Sequence, residues 1–431
     1  MLKVLFRNVF VAALVLSWSL EGGFAQNLVS LSLKEAQEMA IERNRSLQNA
    51  SLDVQAAEAK KWASIASMLP QVSAKGDFST NCGYKMELMG REIAMPPSLN
   101  LGITTSIAFS AQMLIGVQVN DIAKKMSDIS LRQTRQELES QVKALYFSAL
   151  VTEDVIKNLR ENIASLEKLY NMTLTSVQVG VSEQTAADQI LVQMATVTDA
   201  LSSTQRSREM VYNSLRLQLN TGVDTEIVLT EGLNDLLHVD NMMTLMDEEL
   251  FLDNNFNYQL VKENTELAKK QWSLSKWAYG PTLSAFHQYS AKKYLSDEQT
   301  MNMTPPNMVG VSLSVPIFSS TNRLHTAKAS KLAYQKQQNV LADTEQALLV
   351  QHKQLCYNLQ SAFDSYNTQK KNIDVMQRVF NNISKKYEQG VASAMELTNS
   401  GTNLINAQSS YVQSILEFVN AQIELEKLLN K

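Results

Sequence analysis

Hydrophobic positions recur along this chain with two periods that take turns, and the alternation runs through the chain twice. After Pro70 the period is two, with Val72, Ala74, Gly76 and Phe78 on one side of an extended strand and Gln71, Ser73, Lys75 and Asp77 on the other. A partner strand sets Leu99, Leu101, Ile103, Thr105, Ile107 and Phe109 against Asn100, Gly102, Thr104 and Ser106. After Pro281 the pattern returns, with Leu283, Ala285 and Tyr289 sharing a face, as do Val309, Val311, Leu313, Val315 and Ile317. Each strand pair is followed by a longer stretch in which apolar residues step by three and four. One series runs from Leu138 through Val142, Ala149, Ile156, Leu159 and Leu166 to Val177, and the other from Leu341 through Leu348, Leu359, Tyr366 and Phe380 to Tyr387. Each series breaks at a glycine, Gly180 or Gly390, and a second seam returns, marked in the second half by Leu397, Leu404, Tyr411, Ile415, Phe418, Leu425 and Leu429. Such persistence predicts coiled-coil seams rather than the helices of a globular domain.

The two rounds are copies. Asn44, Leu47, Pro70, Val72 and Phe78 pair with Asn255, Tyr258, Pro281, Leu283 and Tyr289 at a spacing of 211 residues. Gly102 and Ser106 pair with Gly310 and Ser314 at 208, and Gly180, Val181, Leu219 and Asn220 pair with Gly390, Val391, Leu429 and Asn430 at 210. A duplication of this length points to a larger symmetric object rather than one asymmetric catalytic cleft. The pattern divides the chain into a leader over 1–25, a first repeat over 26–220, a connector over 221–247 and a second repeat over 248–431. In the first repeat a helix from Ser32 to Met68, opened by a capping box of Ser32 and Glu35, leads into a β-hairpin over 70–110 and a helical hairpin over 112–220 with its tip near 180. In the second, a helix from near Asp247 stops before Gly280 and Pro281, followed by a β-hairpin over 281–318 and a helical hairpin over 322–430 with its tip near 390. The connector opens with Thr221 and Gly222 and carries a short helix around Leu233 to Leu237. About 60 helical residues reach ~90 Å, so each helical hairpin is a rod. The fold class is mainly α with a small β part.

Strands of about ten residues with one apolar and one small or polar face match the ~25 Å apolar band of an outer-membrane barrel. The same alternation also suits the edge of a soluble sandwich. Four strands cannot close a barrel, since the smallest transmembrane barrels need about eight and open edges are not tolerated in lipid. A chain that places these strands in a membrane must therefore oligomerise. Phe78, Tyr84, Phe109, Tyr289, Tyr294 and Phe318, near the expected strand ends, suit either an interfacial girdle or ordinary strand propensity.

The N-terminus changes the picture by fixing a compartment. Lys3 and Arg7 precede an apolar run from Val9 to Leu16, then Gly23, Phe24 and Ala25, which is the pattern of a secretory signal peptide cleaved after Ala25; the run is short for a membrane anchor. Gln26 follows the cleavage site, so no cysteine is there to carry lipid. Loss of the leader moves the formal net charge from −4 to −5, and no Lys/Arg stripe marks a nucleic-acid partner. The two cysteines, Cys82 and Cys356, exclude a disulfide framework. His238, His287, His325 and His352 lack metal-ligand spacing, and no nucleophile elbow, phosphate loop or dinucleotide fingerprint occurs. The sequence predicts no enzyme, no cofactor and no metal.

The run Val311-Ser312-Leu313-Ser314-Val315-Pro316-Ile317-Phe318, entering a helix at Asn322 and Arg323, resembles the TolC-like outer-membrane efflux proteins. So does Tyr387-Glu388-Gln389-Gly390, followed by Glu396, Leu397 and the seam from Leu404 to Leu429. Pro316 and Phe318 carry the strand-to-helix motif in the second repeat, whereas Ala108 stands at the proline position and Val177 at the tyrosine position of the first. The resemblance implies a homotrimer whose twelve strands form one barrel in outer-membrane lipid and whose helices form a periplasmic α-barrel. It implies a passive exit duct that works with a periplasmic adaptor and an inner-membrane transporter. Adaptors are expected at the tips, Gly180, Val181, Ser182, Gly390, Val391 and Ala392, and the pore constriction at Glu396 and Asn399, where the family carries acidic rings. Only Glu396 is acidic here, and Ala392 replaces the family's arginine latch. The competing reading is a periplasmic coiled-coil adaptor or scaffold without a membrane barrel.

Overall fold

In a computed structural model, the described residues are 28–431 apart from Gly83, Met89, Met95, 238–241 and 296–304; the expected leader and His238 lie outside them. The elements in chain order are β1 (Leu28–Leu31), α1 (Leu33–Arg43), α2 (Arg45–Ala66), β2 (Gln71–Ser79), β3 (Lys85–Leu88), β4 (Arg91–Ala94), β5 (Ser98–Ser110), α3 (Ala111–Gln178) and α4 (Gln184–Leu219). They continue with β6 (Glu226–Leu229), α5 (Leu233–Leu236), α6 (Met242–Met246), a 3-10 turn (Leu252–Asn254), α7 (Phe256–Trp277), β7 (Thr282–Tyr294), β8 (Asn307–Ser314), α8 (Asn322–Glu388) and α9 (Ala394–Leu429). Two compact units result, and each draws on both halves of the chain. One comprises 46–134 and 251–350; the other comprises the residues up to Arg45 with 135–250 and 351–431.

The first unit holds the main sheet. The two expected β-hairpins are not separate: β2, β5, β7 and β8 form one antiparallel sheet in that order, joined across the repeats by β5 and β7. The first hairpin also differs from expectation, because its connection folds into the small ribbon of β3 and β4. Strand β8 ends at Ser314, so Val315 and Ile317 fall beyond it, in the link that holds Pro316 and Phe318. Ser320 and Thr321, both with positive φ, turn that link into α8. The helices of this unit pack in the same order as the strands. Lys61 of α2 meets Asp121 of α3 at 2.6 Å, Lys270 of α7 donates to Gln118 of α3 at 2.9 Å, and Trp272 of α7 stacks on Tyr334 of α8 at 6.0 Å.

Two helix boundaries depart from the sequence reading for one reason. The helix expected from Ser32 to Met68 is two, broken at Asn44, whose extended backbone ends α1. Its counterpart starts at Phe256, not near Asp247, because Asn255 caps it by accepting from the Tyr258 amide at 3.1 Å. Asn44 and Asn255 are the same position of the repeat, and both are buried. Asparagine bonds nearby backbone and so favours a helix start over a helix interior. The capping box of Ser32 and Glu35 is present.

In the second unit the seams form the core. Leu159, Leu166 and Leu169 of α3 pack with Ile190 and Val197 of α4, Phe380 of α8, and Leu397 and Leu404 of α9, so the two helical hairpins share one apolar cluster. A second cluster joins Phe147, Leu359, Tyr366, Ile415 and Phe418 to Met242 and Leu245 of the connector. That connector is tied in by a parallel pairing of β1 with β6, which the alternation of so short a segment did not reveal. Tyr146, wholly buried, donates to the Leu31 carbonyl at 2.9 Å, and burial pushes its hydroxyl up to about 12.

Candidate functional site

The register of the sheet collects its apolar positions on one face. Phe78 is opposite Leu99, Gly76 opposite Leu101 and Ala74 opposite Ile103; Ile103 is in turn opposite Tyr289, Ile107 opposite Ala285 and Phe109 opposite Leu283. Leu283 then meets Leu313, and Ala285 meets Val311. This face crosses all four strands, interrupted by Thr105, His287 and Asn307, and is open: Leu101 is 55%, Leu313 64% and Val311 73% exposed. An uncovered apolar surface of this extent marks a site that something apolar must cover. The opposite face is mostly small or polar apart from Phe286 and Met308, with Ser290 donating to Asn100 Oδ1 at 2.7 Å and Lys75 2.9 Å from Asp77. There the Phe286 ring fills the space beside Gly310, so closely that a Cβ on the glycine would lie 2.5 Å from the ring. Tyr289 sits in the middle of β7 rather than near its end, so it does not belong to an end girdle. Among the described residues β2 pairs with β5 alone and β8 with β7 alone, so each outer strand has a free edge there.

The helical tips repeat one turn. The Val181 amide donates to the Ser176 carbonyl at 2.9 Å and the Gly180 amide to Val177 at 3.0 Å; Val391 donates to Lys386 and Gly390 to Tyr387, each at 2.9 Å. Paired bonds of this kind close a helix through a left-handed residue, and Gly180 and Gly390 have φ of +77° and +73°. Val181 and Val391 are exposed on the two turns, Ser182 and Ala392 half-buried. Near the tips the two hairpins are fastened together, with the Thr173 hydroxyl 2.6 Å from the Tyr387 hydroxyl and Lys168 3.6 Å from Glu388.

Glu396 and Asn399, one turn apart on α9, are both exposed, next to the buried Leu397 and Ser400 that face the core. The Glu396 carboxylate already has a partner: it accepts from the Ser393 amide at 2.9 Å, while the Ser393 hydroxyl accepts from the Glu396 amide at 3.2 Å. This capping box is written in the sequence as the same Ser-x-x-Glu spacing as Ser32 and Glu35, a signal sufficient to find it. In the first repeat Glu183 stands at the cap of α4 and makes no side-chain cap.

Among the described residues no group of His, Cys, Asp and Glu is placed to hold a metal, and no helix is long and apolar enough to cross a membrane. No curated protein matches the chain. Among solved structures it is similar to CusC, studied for folding and transmembrane channel formation, at 17% identity over 95% of this chain and 94% of that one, with a TM-score of 0.76. It is also similar to the CmeC outer membrane channel of Campylobacter jejuni, at 14% over 92% and 85%, with a TM-score of 0.75. The outer membrane protein VceC of Vibrio cholerae gives 13% over 92% and 95%, with a TM-score of 0.75. These likenesses establish the fold. The family model described as outer membrane efflux protein matches residues 36–221 and 249–431, one span in each half. With both repeats matched, the chain belongs to the outer membrane efflux protein family.

Proposed function

We propose that the chain is the outer-membrane channel of a tripartite efflux or type I secretion system. Three copies contribute twelve strands to one closed transmembrane barrel, and their helices form a helical barrel in the periplasm. The observation that carries this reading is the four-stranded sheet, whose apolar face is exposed and whose two outer strands each have a free edge. Lipid excludes such edges, so the sheet closes only with further copies. Strands β5 and β7, thirteen residues each, extend about 44 Å and span about 31 Å when tilted, enough for a ~25 Å apolar band. Their polar face lines a wet lumen. A coiled-coil adaptor has no use for such a face.

The duct is passive. The inner-membrane transporter supplies energy, and the periplasmic adaptor docks on the tips at Gly180, Val181, Ser182, Gly390, Val391 and Ala392. The periplasmic mouth narrows at Glu396 and Asn399, where three glutamates make one ring that favours cations. Export follows cleavage of the leader.

The test is membrane fractionation with charge scanning of the two sheet faces. The unaltered protein is expected in the outer membrane, extracted by detergent as a trimer. Leu101→Lys and Leu313→Lys should reduce that trimer, since a lysine facing lipid costs up to about 2–4 kcal/mol at mid-bilayer and less near the interfaces. Thr104→Lys, on the polar face, should assemble. A soluble monomer, or equal tolerance of lysine on both faces, would sink the channel reading.

A further inference from the structure

In the sheet-bearing unit, the two copies of the repeat differ in charge where the helices meet the strands. The first copy, over 56–66 and 114–134, sets Glu58, Asp121 and Asp128 against five cations, Lys60, Lys61, Lys124, Lys125 and Arg132. Lys61 lies 2.6 Å from Asp121, Lys124 3.4 Å from Glu58 and Lys125 3.6 Å from Asp121. The equivalent residues of the second copy, over 267–277 and 322–342, contain no Asp or Glu. Lys269 reaches back to Glu266 at 3.1 Å. That leaves Lys270, Lys276, Arg323, Lys328, Lys331 and Lys336 without a carboxylate in either segment.

These cations gather on aromatic rings. Lys276 Nζ is 4.1 Å and Lys331 Nζ 5.8 Å from the centre of the Trp272 ring, and the Arg323 guanidinium is 5.9 Å from that of Tyr279. A ring face attracts ammonium groups but does not neutralise them, so two on one indole leave concentrated positive charge. The cluster also stands at the sheet's end: α7 closes five residues before β7 opens, and α8 opens eight residues after β8 closes. Exposed apolar side chains continue past the strands, with Phe318 83%, Leu324 59% and Trp277 49% exposed. Leu324, Lys328 and Lys331 follow one another at four and three residues and so share a stripe of α8. An exposed apolar side chain beside long cations suits the boundary between hydrocarbon and headgroups, where the stems stay apolar and the charges reach polar groups.

We infer that this basic collar, confined to the second copy, binds the phosphate of anionic phospholipid headgroups where the barrel leaves the membrane on its periplasmic side. The inference rests on the proposed membrane insertion. It makes the lipid contact unequal around the barrel, with three strongly cationic sectors alternating with three whose cations are largely ion-paired.

The experiment uses the mature protein in nanodiscs of phosphatidylcholine with a minor fraction of phosphatidylglycerol, reading the ratio of the two lipids retained on the protein. Insertion is scored first, by co-migration with the discs, so a chain that never enters the bilayer fails the channel reading before any lipid is counted. The inserted wild type is expected to enrich phosphatidylglycerol, less so as salt rises. Replacing both Lys276→Gln and Lys331→Gln should cut the enrichment by roughly fivefold or more, and the pair Lys276→Arg and Lys331→Arg should keep it. Inorganic phosphate in place of the lipid should not compete at millimolar concentration. Equal retention of the two lipids by the wild type, enrichment insensitive to salt, undiminished enrichment in the glutamine pair, or displacement by free phosphate would each overturn the collar.

Discussion

Glu396 carries two properties that a pair of substitutions can separate. Its carboxylate closes the capping box with Ser393, and an anion in the first turn is also favoured by the helix dipole. Those contacts account for a glutamate at this position without any pore. Its charge, exposed near the tip with the uncharged Asn399 one turn on, is what a channel mouth would use. Glutamine can keep the cap and lose the charge, whereas alanine loses both. In planar bilayers both Glu396→Gln and Glu396→Ala should raise single-channel conductance or relieve block by divalent cations. In thermal unfolding the alanine variant should lose more stability than the glutamine variant, which gives up the dipole contribution alone. Unchanged block in both variants would leave Glu396 with its cap alone. The asymmetry is inherited by the assembly, because Ala186 stands where the second copy has Glu396.

At the scale of the element, four helix ends are built alike: Gly180 and Gly390 at the tips, Asn220 and Asn430 at the ends of α4 and α9, all left-handed. No atom lies within 4 Å of where a Cβ would stand on either glycine. Backbone conformation alone therefore selects glycine there, not close approach. Gly390→Ala should lower the thermal stability of the helical hairpins by about 1 kcal/mol. Gly390→Asn should lower it less, because asparagine tolerates this conformation and already serves at two equivalent ends. A larger loss for asparagine than for alanine in the helical circular-dichroism melt would contradict this account. Such local devices are what a sequence displays well: heptad seams, the glycines that end them, and the period-two strands were all legible. The break at Asn44 was missed, although the repeat aligns Asn44 with Asn255, the cap of the counterpart helix. The pairing of β5 with β7 was not, because it joins segments from different repeats and neither strand carries a local mark of its partner. The pairing of β1 with β6 was hidden by length, four residues being too few to show a period. At the candidate site, the tips and the apolar strand positions were readable one by one, but their union into a single exposed face depends on that cross-repeat register.

For the whole molecule, the free edges of β2 and β8 make the sharpest demand. Inside one chain they stand at opposite ends of the strand order and cannot both be satisfied. If three copies close a ring, β8 of each pairs with β2 of the next, a head-to-tail contact that closes by rotation. This predicts where cysteines will cross-link. With Cys82 and Cys356 changed to serine, one cysteine is placed at Ala74 in β2 and another in turn at Val309, Val311 or Leu313 in β8. All four positions face the same side of the sheet, so at least one combination should bring the sulfurs within bonding reach across the seam. Mild oxidation should then give a ladder of covalent dimer and trimer in outer membranes, stopping at three. A control pair on the inner strands, Leu101 of β5 with Ala291 of β7, lies opposite within one chain and should give no ladder. Because register between copies is open, a negative result from one β8 position carries little weight, but failure of all three would mean that the two edges do not meet. The sheet would then need another cover for its edges, since an uncovered strand edge in lipid leaves backbone amides and carbonyls unpaired at several kcal/mol each. A ladder that runs beyond three would instead mean that the same edges meet without closing, as in an open filament.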